Sequence, residues 1–224
     1  MKKISAYLFL ACEALLYFSY LAGDIYGIGR PKILKFIAIV LLTVFSIFTV
    51  KEKKDRTVIF IFLFTVIADI FFLLLDKPFY GIGVYVIIQL IHSLRLADLS
   101  GTGRAAEALK RIIPAVFLGI AGAFVGPVVS LICVYGTFIG INIANCFINF
   151  SRCKSRVNLL YLTGMIILLI GDIGVGLRNA GLSFMTEETA AIAYIITWIT
   201  YLPSLLLILS TTDAFLFKKM SNKD

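Results

Sequence analysis

The chain has 224 residues, of which 60% are hydrophobic and 15% are charged, with a mean hydropathy of +0.99 and a net charge of +8. A soluble domain of this size cannot bury that much apolar surface, which argues against a globular soluble protein and favours a polytopic membrane protein. The basic residues fall between apolar runs, as topology signals and lipid-headgroup contacts do, so no nucleic-acid partner is expected.

Apolar runs of membrane-spanning length follow one another along the whole chain, which predicts an all-α membrane helix bundle forming a single transmembrane domain over residues 1–224. Eight transmembrane helices are predicted, at about residues 4–22, 33–50, 57–75, 80–97, 112–125, 127–150, 159–177 and 190–211. The first span resembles a signal peptide in its basic start and small residues near Ala22. We expect that it is not cleaved, because the predicted topology requires it. The fifth is short, and Gly126-Pro127 separates it from the sixth.

Lysine and arginine residues concentrate in alternate connections of these eight spans. They cluster at residues 2–3, 51–56, 95–111, 152–156 and 218–223, all on one side of the predicted topology. Because cytoplasmic loops carry the excess of basic residues, both termini are predicted to be cytoplasmic, in a protein of the plasma membrane.

Two acids interrupt the apolar spans at corresponding places. Asp69 lies in "VIADIFFLLLD" and Asp172 in "LLIGDIGVGL", and both segments contain the pattern I-x-D-I-x-x-x-L. Each acid lies roughly 18–20 Å from the start of its span at the helical rise per residue, in the outer half of the membrane. The shared pattern is consistent with an internal repeat of two four-helix halves, although chance similarity between apolar helices would also produce it.

An acid inside the membrane costs about 2.5–3.5 kcal/mol, so it normally faces a protein interior or a wet cavity. Two carboxyls at one depth can share such a cavity and divide acid and base roles, one staying protonated while the other holds a water. The alternative is that each Asp pairs with a Lys, an Arg or an amide and only locks helices together. Glu13, in the first span, is a third candidate acid.

Further polar residues accompany the two acids. Tyr85, Gln89 and His92 share one face of the fourth helix, where they either line a site or form hydrogen bonds between helices. The sixth helix carries a stripe formed by Asn142, Asn145 and Asn149, which predicts interhelical contacts or a cavity wall. With a single histidine and no C-x-x-C pair among four cysteines, neither a metal site nor a disulfide framework is expected.

In order and spacing these segments resemble the YhhN-like lysoplasmalogenase family of eight-span membrane proteins. The resemblance rests on Lys35 at the start of the second helix, Ala68-Asp69 in the third, the glycine and aromatic residues of "YGIGVYVIIQLIHSL" in the fourth, Asp172 in the seventh and Tyr201 in the last. The chain departs from the family pattern at Ala68, which replaces a glycine, at Gln89 and His92, where the family has a His followed by a Tyr, and at Ser204, where it often has Gln or His.

The resemblance implies cleavage of the vinyl ether bond of lysoplasmalogens, giving a fatty aldehyde and a glycerophospho-alcohol. It implies Asp69 and Asp172 as the catalytic pair, with no cofactor and no metal, and a lysophospholipid or another single-chain lipid as the bound partner. The expected substrate-binding residues are Lys35, Tyr85, Gln89, His92, Tyr201 and Ser204. Two other functions compete with this one: a non-enzymatic lipid-binding or transport protein that uses the same acids, and a scaffold whose polar residues only hold helices together.

Overall fold

A computed structural model of the protein describes residues 2–179 and 186–213, and the described part is helical without strands. Its α-helices are α1 (Lys2–Tyr26), α2 (Pro31–Thr49), α3 (Arg56–Asp69), α4 (Pro78–Ser100), α5 (Arg104–Ala123), α6 (Pro127–Arg152), α7 (Arg156–Asn179) and α8 (Glu187–Leu209). A 3₁₀-helix, Lys53–Asp55, precedes α3, and a π-helix, Ile70–Leu74, continues it. Seven helices of the described part are long and apolar enough to cross a membrane, which confirms the predicted helical membrane bundle.

The exception is α5, which differs from the predicted fifth span. It begins at Arg104, about two turns before residue 112, and its first turns carry Glu107, Lys110 and Arg111. The structure buries Glu107 and Arg111 against α6, so this amphipathic start extends the helix beyond its apolar part. Apolar composition alone therefore located only the second half of the helix.

Prolines and glycines explain several helix boundaries. Pro31, Pro78 and Pro127 occupy the first helical position of α2, α4 and α6, where a missing backbone N–H costs nothing. At the other end of α4, Gly101 has a φ of 69°, a left-handed conformation that terminates helices and that glycine adopts without strain. These residues produce the short connections between neighbouring helices.

Neighbours in sequence pack as antiparallel pairs, namely α1 with α2, α3 with α4, α5 with α6 and α7 with α8, and α4 also packs along α6. The most extensive contact is between α7 and α8, and two glycines of α7 permit it. A Cβ atom at Gly171 would lie 2.5 Å from the Thr200 Oγ1 atom, and one at Gly174 would lie 2.6 Å from the Ala193 carbonyl oxygen. Small residues bring helices into contact in this way in membrane proteins.

The connections lie at two ends of the bundle. The end that we call the basic end contains residues 50–55, 101–103, 153–155 and 210–213, and the opposite, cavity end contains residues 27–30, 75–77 and 124–126. At the basic end the Asp213 backbone N–H donates to Asp55 Oδ2 at 3.1 Å, and the Lys51 backbone N–H donates to the Asp213 carboxylate at 3.2–3.3 Å. These bonds tie the end of α8 to the connection between α2 and α3.

Candidate functional site

A cavity of about 170 Å³ opens at the cavity end, among α3, α4, α6, α7 and α8. Asp69 and Asp172 both line it, although α3 packs against α2 and α4 whereas α7 packs against α6 and α8. The two acids therefore reach one cavity from helices that are not a packed pair. Much of the remaining lining is apolar, for example Phe72, Ile82 and Ile132.

Asp69 is buried and accepts from one phenol, which in turn accepts from a second. The Tyr201 hydroxyl lies 3.0 and 3.1 Å from the two carboxyl oxygens and donates to them, and the Tyr85 hydroxyl donates to that of Tyr201 at 2.5 Å. The π-helix begins directly after Asp69, and a π-helical turn re-aims side chains in helices that carry functional sites. Three helices, α3, α4 and α8, thus supply the surroundings of this acid.

Asp172 is partly exposed and accepts a short hydrogen bond from the Tyr135 hydroxyl of α6. The Gln89 side-chain amide nitrogen of α4 donates to the same phenol oxygen at 3.1 Å. Tyr135 is not among the predicted site residues, although the sequence contains a signal for it. It precedes Asn142 by two helical turns and therefore lies on the same face of α6 as the asparagine stripe.

The asparagine stripe forms contacts between helices. The Asn142 side-chain nitrogen donates to the backbone oxygen and to the side-chain oxygen of Gln89, both at 2.9 Å, and Asn142 Oδ1 accepts from Arg111 Nε at 2.7 Å. Asn145 Nδ2 donates to Glu107 Oε2 at 3.0 Å. Asn142 therefore joins α4, α5 and α6 on the side of the cavity that faces the basic end.

Lys35 lies outside the cavity, behind two aromatic residues of its wall. Its ammonium forms an ion pair with Asp24 at 2.6 Å, donates to the Tyr194 hydroxyl at 2.7 Å and lies 4.1 Å from the Trp198 ring centroid. Tyr194 and Trp198 line the cavity, whereas Lys35 is buried. In this arrangement Lys35 supports the wall and is not itself part of the lining.

Of the other predicted binding residues, Tyr85 and Tyr201 line the cavity, whereas Gln89, His92 and Ser204 are buried outside it. His92 Nδ1 shares a 2.6 Å hydrogen bond with the Tyr161 hydroxyl, and Ser204 donates to the Tyr201 carbonyl oxygen at 2.6 Å. Gln89 and Ser204 therefore reach the site through Tyr135 and Tyr201, whereas the hydrogen-bond partner of His92, Tyr161, is not part of the lining.

Charged residues surround the mouth of the cavity. Lys32, Asp76 and Arg178 belong to the lining and are exposed, and Arg178 also stacks on the Tyr194 ring with its guanidinium carbon 4.7 Å from the ring centroid. Asp76 has a φ of 54°, a left-handed conformation that follows the π-helix. The cavity thus combines a charged mouth, an apolar wall and two acids.

Glu13, the third candidate acid, does not line the cavity. It is buried in α1, and neither carboxyl oxygen has a hydrogen-bond partner among the described residues. Its isolation from the site makes it useful as a comparison for the other two acids.

The arrangement of side chains supports proton transfer. Two carboxyl groups in one cavity, each in contact with a phenol, can donate and accept protons. Searches against family models, curated proteins and solved structures found no match for this chain. The side chains and the cavity are therefore the basis for inferring a function.

Proposed function

We propose that the protein is a membrane hydrolase that cleaves the vinyl ether bond of lysoplasmalogen-like lipids, with Asp69 and Asp172 as its catalytic acids. The observation that carries the proposal is the presence of both carboxyls in one largely apolar cavity. A single-chain lipid suits this cavity, because the apolar wall accommodates a tail. Lys32 and Arg178 at the mouth offer positive charge to a phosphate, and Asp76 offers negative charge to an amine.

The proposed reaction begins with proton transfer from one carboxyl to the alkene carbon remote from the ether oxygen. Water adds to the resulting oxocarbenium carbon while the second carboxylate takes a proton from that water, which gives a hemiacetal. The hemiacetal hydroxyl then returns a proton to the first carboxylate as its C–O bond to the glycerol breaks. The second carboxyl protonates the leaving oxygen, so both acids regain their starting states and the products are a fatty aldehyde and a glycerophospho-alcohol.

We further propose a topology of eight spans, with α5 as the short one, both termini cytoplasmic and the cavity opening at the outer face of the plasma membrane. The distribution of Lys and Arg supports this orientation, and the apolar second half of α5 supports the eighth span. The related positions of Asp69 and Asp172 favour two four-helix repeats. Labelling of single cysteines at Thr102 and Lys77 with a membrane-impermeant thiol reagent, in a variant lacking the four native cysteines, should modify only Lys77→Cys in intact cells.

The test of the hydrolase is fatty aldehyde release from a lysoplasmalogen by purified protein in nanodiscs. Asp69→Asn and Asp172→Asn should each lower release by about a hundredfold or more while the protein remains folded. Glu13→Gln, which changes a buried acid outside the cavity, should retain it. Full activity in either Asp variant would contradict the assignment.

One observation favours the competing function of lipid binding or transport. A second cavity, of about 230 Å³, lies at the basic end and is lined by polar residues that include Glu107, Lys110 and Asn145. A transporter requires access from both ends, and joining the two cavities would provide it. Saturable binding of the lipid without aldehyde release, together with its movement across proteoliposomes, would support this alternative.

A further inference from the structure

A chain of hydrogen bonds runs from α5 to Asp172, and in every bond the donor is the residue farther from Asp172. Arg111 Nε donates to Asn142 Oδ1 at 2.7 Å, and Asn142 Nδ2 donates to Gln89 Oε1 at 2.9 Å. Gln89 Nε2 donates to the Tyr135 oxygen at 3.1 Å, and the Tyr135 hydroxyl donates to Asp172 Oδ2. We call Arg111, Asn142, Gln89 and Tyr135 the donor chain.

The direction follows from Arg111. A guanidinium can only donate hydrogen bonds, so the Asn142 atom that faces it must be the amide oxygen. The Asn142 nitrogen then faces Gln89, which turns the Gln89 oxygen toward Asn142 and its nitrogen toward Tyr135. The phenol oxygen accepts from that nitrogen, so its hydrogen points to Asp172. Two amide orientations that are ambiguous in isolation are thus determined by one charged residue.

The hydrogen bonds that lead to Asp69 begin at a different kind of donor. Asp69 accepts from Tyr201, which accepts from Tyr85, and that sequence begins with a neutral phenol. The donor chain begins with a buried guanidinium, which also forms an ion pair with Glu107 at 2.7 Å while its Nε donates to Asn142. Hydrogen bonds from a charged donor polarise the amides that follow and favour a negatively charged acceptor. Asp69 is also the more buried of the two acids.

We infer that the donor chain positions Asp172 as the carboxylate that activates water, which leaves Asp69 as the acid that protonates the alkene carbon. This assignment rests on the proposed hydrolase and goes beyond it, because it gives different roles to two acids that the reaction treats alike. Arg111, Asn142 and Gln89 lie outside the cavity lining and act through Tyr135, so they are positioning residues.

Other ionisable groups also face Asp172. The charged groups that share its cavity are Asp69 from α3, Lys32 from α2, Asp76 from the connection after the π-helix and Arg178 from its own helix. The phenols are Tyr85 from α4, Tyr135 from α6, and Tyr194 and Tyr201 from α8. A test must therefore separate the donor chain from these neighbours.

The test compares the pH dependence of kcat/KM in wild-type protein, Gln89→Met and Tyr135→Phe. A base that loses its donors holds its proton more tightly, so the acidic limb of the profile should move to higher pH in both variants, by on the order of one pH unit. The double variant should shift no further than either single variant, because both break the same chain. Tyr201→Phe, which alters only the surroundings of Asp69, should leave the acidic limb in place.

A measurement without catalysis completes the test. In an Asp69→Asn background, infrared difference spectra should show the protonated Asp172 carboxyl band appearing at higher pH when Gln89→Met is added, and Asp69→Asn/Asp172→Asn identifies the band. If wild-type protein releases no aldehyde, the hydrolase proposal fails while this titration still decides whether the donor chain holds Asp172 as a carboxylate. The inference is overturned if folded Gln89→Met and Tyr135→Phe leave both the carboxyl band and the acidic limb unmoved. It is also overturned if only the alkaline limb shifts.

Discussion

The cavity and the Glu107 cluster of α5 both hold acids within the helix bundle, and they differ in which groups face the carboxyls. Glu107 accepts from Arg111 at 2.7 Å, from Lys110 at 2.8 Å and from Asn145 at 3.0 Å. Asp69 and Asp172 accept from phenols, and within residues 2–179 and 186–213 neither forms a salt bridge. A carboxyl that only joins helices is expected to have partners like those of Glu107, so the difference favours a chemical role for the pair in the cavity.

The largest effect expected from this comparison is on activity. Asp69→Asn and Asp172→Asn should each reduce aldehyde release by about 10²–10⁴-fold, the usual contribution of a general acid or base. The substitution keeps side-chain volume and leaves no charge unpaired, so the melting temperature should change little. Aldehyde release per folded protein, measured beside the thermal unfolding curve, checks both statements. If either variant loses its fold together with its activity, the acid has a structural role like that of Glu107.

The opposite pattern is expected at the Glu107 cluster. Glu107→Ala removes the carboxylate partner of the fully buried Arg111 and should lower the free energy of unfolding by about 3–5 kcal/mol. Reversible unfolding in mixed micelles measures this loss. The double variant Glu107→Ala/Arg111→Met, which removes both charges, should recover much of the stability. If Glu107→Ala is as stable as the wild-type protein, the Arg111 guanidinium does not need a carboxylate partner and the comparison with the cavity fails.

A smaller effect is expected from the phenol that contacts Asp69. Tyr201→Phe removes the hydroxyl that lies 3.0 and 3.1 Å from the carboxyl oxygens and keeps the ring against Trp198. Loss of one hydrogen bond to a reacting group should lower kcat/KM by about tenfold, or about 1.4 kcal/mol. Tyr17→Phe, which removes a hydroxyl bonded to the Ile199 carbonyl oxygen outside the cavity, is the matched control and should leave kcat/KM unchanged.

The sequence was sufficient to predict the class of fold and most helix boundaries and to single out the two acids that line the cavity, because hydropathy and isolated charges are local signals. Its limits appear at α5, where burial of Arg111 depends on an asparagine of another helix. They appear again at Tyr135 and Lys35, since the rotation of each helix determines which phenol faces an acid and which cation faces an aromatic ring. The π-helix after Asp69 has no composition signal, because apolar residues fit α- and π-helical turns equally well.

The smallest effect is expected at an exposed ion pair of the basic end. Arg104 makes two hydrogen bonds to Asp98, at 2.7 and 2.8 Å, but 61% of its side chain is exposed. Solvent and salt screen such pairs, so Arg104→Ala should change the free energy of unfolding by less than about 1 kcal/mol, and by still less at high salt. The same unfolding assay, run at two salt concentrations, measures both values. If Arg104→Ala lowers the free energy of unfolding as much as Glu107→Ala does, exposure does not determine the strength of these charge pairs. Burial would then not explain why the Glu107–Arg111 pair is stronger than the pair formed by Arg104.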